Sequence, residues 1–170
     1  SDLDDGLQQL DAEPGEAARP THLELRVLAG RLYRRVEDRA SDATVQLEAA
    51  LALDPLNEPA LDALASLHAE RGEASAAATL YGQRAEAAVA HEAPDDAAEL
   101  WRRQLEASGE EATEPLGERI AAAVERFPRH RGLLDLLIEV SGGDPSVEVV
   151  ALERRLALED SPGQCGDLWA

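Results

Sequence analysis

The feature that most constrains this 170-residue chain is an internal repeat with an interval of 73 residues. Under this shift, apolar and turn positions coincide: Leu47 with Ile120, Pro55 with Pro128, Leu61 with Leu134, Leu64 with Leu137 and Leu67 with Val140. The matches cross a helix end, a turn and the following helix. Self-similarity at a fixed interval predicts a repeated structural unit rather than two unrelated amphipathic helices.

A shorter interval lies inside the longer one. Ala43 and Ala77 are 34 residues apart, and Gly30 and Ala65 are 35 apart. Two such units make up the longer interval. A unit of this length accommodates two helices and a turn, so the sequence predicts a series of helix pairs.

The composition agrees with a helical chain. Hydrophobic residues make up 44% of the sequence and aromatic residues only 3%, and the apolar side chains are mainly Ala and Leu. These two residues are strong helix formers, whereas strands favour β-branched and aromatic residues. We therefore expect an all-α fold.

Start and stop signals divide the chain into eight helices. The first is expected to follow the capping-box pattern at 21–24, and its expected apolar face is Leu25, Leu28, Leu32 and Val36. Further starts are expected at Ser41, Asn57, Ala74, Pro94 and Thr113; the seventh helix carries Leu133 to Val140, and the eighth opens at Pro145. Gly72 is expected to be a left-handed cap. Short connections predict that consecutive helices pack antiparallel.

The second unit resembles the tetratricopeptide repeat (TPR), a helix–turn–helix of about 34 residues. The matching positions are Leu64, Ala65, His68, Gly72, Ala77 and Tyr81, and the first unit contributes Gly30, Tyr33, Ala43, Leu47, Ala50, Leu51 and Pro55. The resemblance implies a right-handed superhelix of about eight antiparallel helices in four divergent pairs, at about 22–57, 58–93, 94–130 and 131–160. It also implies a concave face built from the first helix of each pair.

The two ends of the sequence are predicted to lie outside the repeat domain at 21–160. Residues 1–20 are expected to be an acidic flexible arm or the remnant of a preceding element, and 161–170 a tail. The roles of Cys165 and Trp169 in that tail are left open. Because the sequence has no Met, we expect a fragment or a processed form, which makes targeting unreadable. The compartment is left open, with the cytoplasm favoured.

Charge and hydropathy narrow the classes of partner. The net charge is -19, and such a chain repels the phosphates on which nucleic-acid binding depends. No apolar run approaches the roughly 20 residues that span a bilayer. We therefore expect a protein or peptide partner, no nucleic acid and no membrane insertion.

The basic residues concentrate in one place. Between residues 19 and 39 there are six Arg and three acidic residues, a local charge of +3. The TPR resemblance and this charge select six candidate partner-binding residues: Val27, Arg31, Arg34 and Arg35, with Asp62 and Ser66 on the equivalent helix of the second unit. Two interpretations stay open. The patch selects an acidic or C-terminal peptide through the forked donors of Arg, or it is a solvated face paired with nearby carboxylates.

No arrangement of residues in the sequence points to catalysis. The acidic residues between 95 and 114 fit solvated helix ends or a surface for a basic partner. No nucleophile, His or Gly-rich loop supports them at a suitable spacing. The four His and the single Cys lack the spacing of a metal site. We expect no catalytic residue, cofactor or metal.

The sequence thus predicts a non-catalytic protein–protein interaction module that holds a partner peptide or helix on its concave face. The alternative is a structural subunit or segment of a larger multiprotein assembly, or a regulatory arm of a larger enzyme or sensor.

Overall fold

The computed structural model describes residues 19–36, 38–108, 113–141 and 144–159. These residues form eight α-helices and no β-strand: α1 Arg19–Tyr33, α2 Ala40–Leu53, α3 Glu58–Glu70, α4 Ala74–Ala90, α5 Pro94–Ser108, α6 Thr113–Arg126, α7 Arg131–Val140 and α8 Pro145–Glu159. The prediction of an all-α fold is confirmed over these residues. The predicted arm before Arg19 and the tail with Cys165 and Trp169 lie outside them.

The chain divides into two compact units, 1–77 and 78–170, with the boundary inside α4. In the first unit, α1 packs on both α2 and α3, and α2 packs on α3. The fully or almost fully buried side chains of this unit include Leu47, Leu51, Leu61 and Leu64. These leucines come from α2 and α3 and supply most of its apolar core.

In the second unit, α6 packs on α5 and α7, α7 packs on α8, and α5 also contacts α7. Its largest buried side chain is Trp101 of α5, accompanied by leucines of α7 and Ile120 of α6. Arg119 of α6 reaches the second half of α4. There it donates a hydrogen bond to the Gly82 carbonyl at 2.8 Å and lies 2.7 Å from a carboxylate oxygen of Glu86.

The same neighbour relation occurs in both units. In the first, α1 contacts α3, and in the second, α5 contacts α7, so each helix touches the one two places further along the chain. Stacked helix pairs need this contact, because the first helices of successive pairs lie side by side. The superhelical path of the complete chain stays a prediction.

Predicted helix ends at Asn57 and Gly72 are confirmed. The Asn57 side-chain oxygen accepts a hydrogen bond from the Ala60 N–H at 3.1 Å, which satisfies a free donor at the start of α3. Gly72 follows α3 with φ of +71°, a conformation in which other residues are strained. His130 caps α7 in the same manner as Asn57, since its Nδ1 accepts from the Leu133 N–H at 3.2 Å.

Two predicted helix starts are wrong by one or two residues. The first helix already includes Arg19 and Pro20, so Thr21 lies inside it. Proline suits the first turn of a helix, because its fixed φ is helical and its missing N–H needs no partner. The second helix begins at Ala40, before Ser41, and has no side-chain cap. Arg39 instead pairs with Asp42 in the first turn.

Candidate functional site

A groove of about 590 Å³ runs along α1 in the first unit. Its other wall is the start of α3, which the Asn57 cap fixes. The lining combines apolar, acidic and basic side chains: Pro20, Leu23, Glu24, Val27, Leu28, Arg31, Leu32, Arg35, Asn57 and Pro59. Three of the six residues predicted from the sequence, Val27, Arg31 and Arg35, therefore meet in one groove.

Arg31 and Arg35 are exposed at this groove, and neither forms an ion pair with any residue that the structure describes. Among the described residues no group takes up their guanidinium donors, and Arg donors match the geometry of a carboxylate. Both interpretations of the patch stay open, because Glu37 lies outside the described residues.

Arg34 differs from its neighbours because it is already paired. Its Nε donates to Glu70 Oε2 at 3.2 Å, and its Nη2 donates to the second oxygen of the same carboxylate. This two-pronged pair joins α1 to the end of α3. Arg34 does not line the groove, so its charge serves the contact between the two helices.

The apolar stripe predicted for α1 does not face the core. Leu25, Leu28, Leu32 and Val36 are between 40% and 54% exposed, whereas the helix buries Ala29, Gly30 and Tyr33. Small residues allow the close approach of α2, so the core lies on that side. The exposed Leu28 and Leu32 line the groove. The signal for this in the sequence is a helix with apolar residues on two faces.

The other three predicted site residues lie in different surroundings. Val27, a candidate partner-binding residue, is only 9% exposed and forms part of the groove wall. On α3, Asp62 is exposed and Ser66 is half-buried, and neither lines the groove. The groove therefore lies along α1 and the first turn of α3 and does not extend to the middle of α3.

A smaller depression of about 330 Å³ lies between α6 and α8 in the second unit. Val124, Leu137, Val147 and Val150 make it largely apolar. Arg154 and Glu125 at its edge are joined by a hydrogen bond of 2.7 Å, so this depression offers no free basic group at that place.

Part of the predicted acidic cluster is hydrogen-bonded or ion-paired to neighbouring residues. Asp95 accepts from His130 Nε2 at 2.9 Å, and Glu99 pairs with Arg102 and Arg103 on the same helix. Glu110 and Glu111 lie outside the described residues. Within those residues, no three His, Cys, Asp or Glu side chains form a group that could hold a metal ion.

In comparisons with known proteins, no family model and no curated protein matches the chain. Each described helix is too short or too polar to cross a lipid bilayer.

Proposed function

We propose that the chain is a non-catalytic, TPR-like interaction module and that the groove along α1 holds an acidic amphipathic segment of a partner protein. The observation that carries this proposal is that Arg31 and Arg35, which pair with no described carboxylate, lie beside the exposed side chains of Leu28 and Leu32. The repeat in the sequence and the contact of α1 with α3 support the placement in helix pairs.

The apolar and the basic side chains of the groove each account for one property of the partner. The exposed Leu28 and Leu32 favour a partner helix with its own apolar stripe, as in other helix-in-groove contacts. The two Arg favour carboxylates next to that stripe. Their charge supplies orientation and selectivity, while the apolar contact supplies most of the affinity.

The overall charge makes the test selective. A chain with net charge -19 repels an acidic peptide at long range, so measurable binding of such a peptide reports a local positive site. The probe is a fluorescein-labelled synthetic helix with Leu at the spacing i, i+3 and i+7 and Glu on both flanks. Binding is followed by fluorescence anisotropy at physiological salt.

We expect the double substitution R31Q/R35Q to weaken binding of this peptide by about tenfold, since two partly exposed ion pairs are lost. The matched control is R34Q, which changes the same residue type in the turn directly after α1, next to Arg35. Because Arg34 already pairs with Glu70 outside the groove, R34Q should leave the affinity within about threefold of the wild-type value. Equal losses in both variants, or no binding by the wild type, would contradict the proposal.

One observation favours the second candidate function, a subunit or segment of a larger assembly. The last described helix, α8, exposes Val149, Val150, Leu152 and Leu156. A monomer rarely leaves such a contiguous face open, and a neighbouring chain or helix would cover it.

A further inference from the structure

The large apolar side chains that stay exposed are concentrated on two helices. Among the described residues there are nine of them: four lie on α1 or within three residues of its end, four lie on α8, and Val45 of α2 is the ninth. Exposed apolar faces of this kind mark interaction sites. The first and the last described helices therefore each present a face that nothing covers in the described part of the chain.

The face of α8 is well defined. Val149, Leu152 and Leu156 follow one another at i, i+3 and i+7, a spacing that places them on one side of a helix, and they are between 40% and 61% exposed. The other side of α8 packs on α7, where Ala151 is buried. α8 thus has two apolar sides: one packs on α7, and the other is exposed.

The charge beside the open face of α8 is negative. Arg154 and Arg155 are engaged inside the unit, the first with Glu125 and the second with Asp135, both at 2.7 Å. Glu148 and Glu153 form no ion pair with any described residue. The open face therefore has unpaired carboxylates at its margin, and its two basic neighbours are already neutralised.

The face of α1 matches that of α8 in apolar spacing and carries basic residues where α8 carries Glu148. Leu25, Leu28 and Leu32 have the same i, i+3, i+7 spacing, and the charges at their margin are Glu24, Arg31 and Arg35, none of which forms an ion pair with a described residue. Arg31 directly precedes Leu32, as Glu148 directly precedes Val149 on α8. The two charged residues thus occupy equivalent flanks of their stripes, and equivalent flanks meet when two helices pack antiparallel.

We propose that α8 of one copy of this chain packs antiparallel on α1 of a second copy, so that the copies associate head to tail. With Leu32 opposite Val149, Leu25 falls opposite Leu156, and Glu148 falls opposite the turn between Arg31 and Arg35. A contact between two α1 faces, with Leu25 opposite Leu32, would place Glu24 opposite the same turn between Arg31 and Arg35. That contact does not use Glu148, so a substitution of Glu148 distinguishes the two arrangements.

This interface joins two different surfaces. Such heterologous contacts give a closed ring where the rotation between copies closes and an open series of oligomers where it does not. The inference goes beyond the proposed function and does not depend on it, although the shared α1 face makes self-association and partner binding competitive. Because each copy carries a net charge of -19, long-range repulsion opposes the local pairing, and salt dependence alone does not test it.

A charge exchange tests the proposal directly. The mass of the wild-type chain, followed by light scattering over a concentration series, should rise above that of the monomer as the concentration increases. E148R places Arg opposite Arg31 and Arg35, and R31E/R35E places Glu opposite Glu148. We expect each variant alone to associate at least about tenfold more weakly. An equimolar mixture of the two should associate like the wild type, because every contact between unlike copies is again complementary.

Two results would overturn the proposal: a wild-type chain that is monomeric at every concentration, or a dimer that forms equally well in both variants. Leu156→Asp provides a second disruption of the same interface at an exposed position, and circular dichroism checks that each variant is folded. Glu148 lies outside the groove on α1. Binding of the acidic peptide by E148R therefore tests the proposed function alone. If that binding fails, the mixing experiment still tests self-association.

Discussion

A Cβ atom added to Gly30 of α1 would lie 2.6 Å from Cγ and 2.8 Å from Cδ2 of Leu47 on α2. Leu47 is fully buried, so it has no open space into which it can move. This close approach places the Gly30 side of α1 against the core. Leu28, Leu32, Arg31 and Arg35 line the groove.

Gly30→Ala should therefore destabilise the chain. Overpacking of a filled core costs about 1–3 kcal/mol, while the higher helix propensity of Ala returns about 1 kcal/mol. We expect a net loss of about 1 kcal/mol in the free energy of unfolding, measured by urea denaturation followed by circular dichroism.

The matched control for this substitution is Gly117→Ala on α6. There an added Cβ would meet its nearest neighbour, Val140, at 3.9 Å, an ordinary contact. Only the propensity gain remains, so we expect stabilisation of up to about 1 kcal/mol. The penalty of Gly30→Ala should also vanish in a Leu47→Ala background, where the obstructing atoms are gone. Equal shifts at the two glycines would refute the packing argument.

Asn57→Ala should also destabilise the chain, through the start of α3. The substitution removes the oxygen that accepts from the Ala60 N–H, and loss of such a cap costs about 1 kcal/mol. Asn57→Ser is the matched control, because a Ser hydroxyl accepts the same bond, and its unfolding free energy should stay within a few tenths of a kcal/mol of the wild-type value. If Ser and Ala variants unfold at the same urea concentration, the cap contributes nothing.

The helix pairs were predictable because their signals are local. Asn57 and Gly72 act within one turn of their own position, and their roles follow from the residue type. The start of α2 was placed one residue late, since the ion pair of Arg39 with Asp42 replaces the side-chain cap expected from Ser41. Small shifts of this kind arise where either of two local interactions can stabilise the start of a helix.

The candidate site was only partly predictable because tertiary contacts decide it. Periodicity shows that Leu25, Leu28 and Leu32 share a face, but it does not show which face a neighbouring helix covers. The face with the small residues, where Gly30 makes the closest contact, is the one that packs on α2. Likewise, Arg31 and Arg34 look equivalent in the sequence, and the carboxylate that separates their roles, Glu70, is 36 residues from Arg34.

Asp144 caps α8, the helix that is proposed to dock on a second copy. Its Oδ1 accepts from the Ser146 hydroxyl at 2.6 Å and from the Ser146 N–H at 2.9 Å. These bonds hold the pKa of Asp144 below its ordinary value of 3.8. Because the pKa is lower in the folded chain, the carboxylate stabilises the fold above that value, and this contribution is lost as the pH falls through the folded pKa. Asp144→Asn keeps a capping oxygen but cannot ionise, so we expect it to lower Tm at neutral pH and the difference from wild type to shrink on acidification. A difference that stays constant while the pH falls well below 3.8 would show that the charge of Asp144 does not stabilise α8.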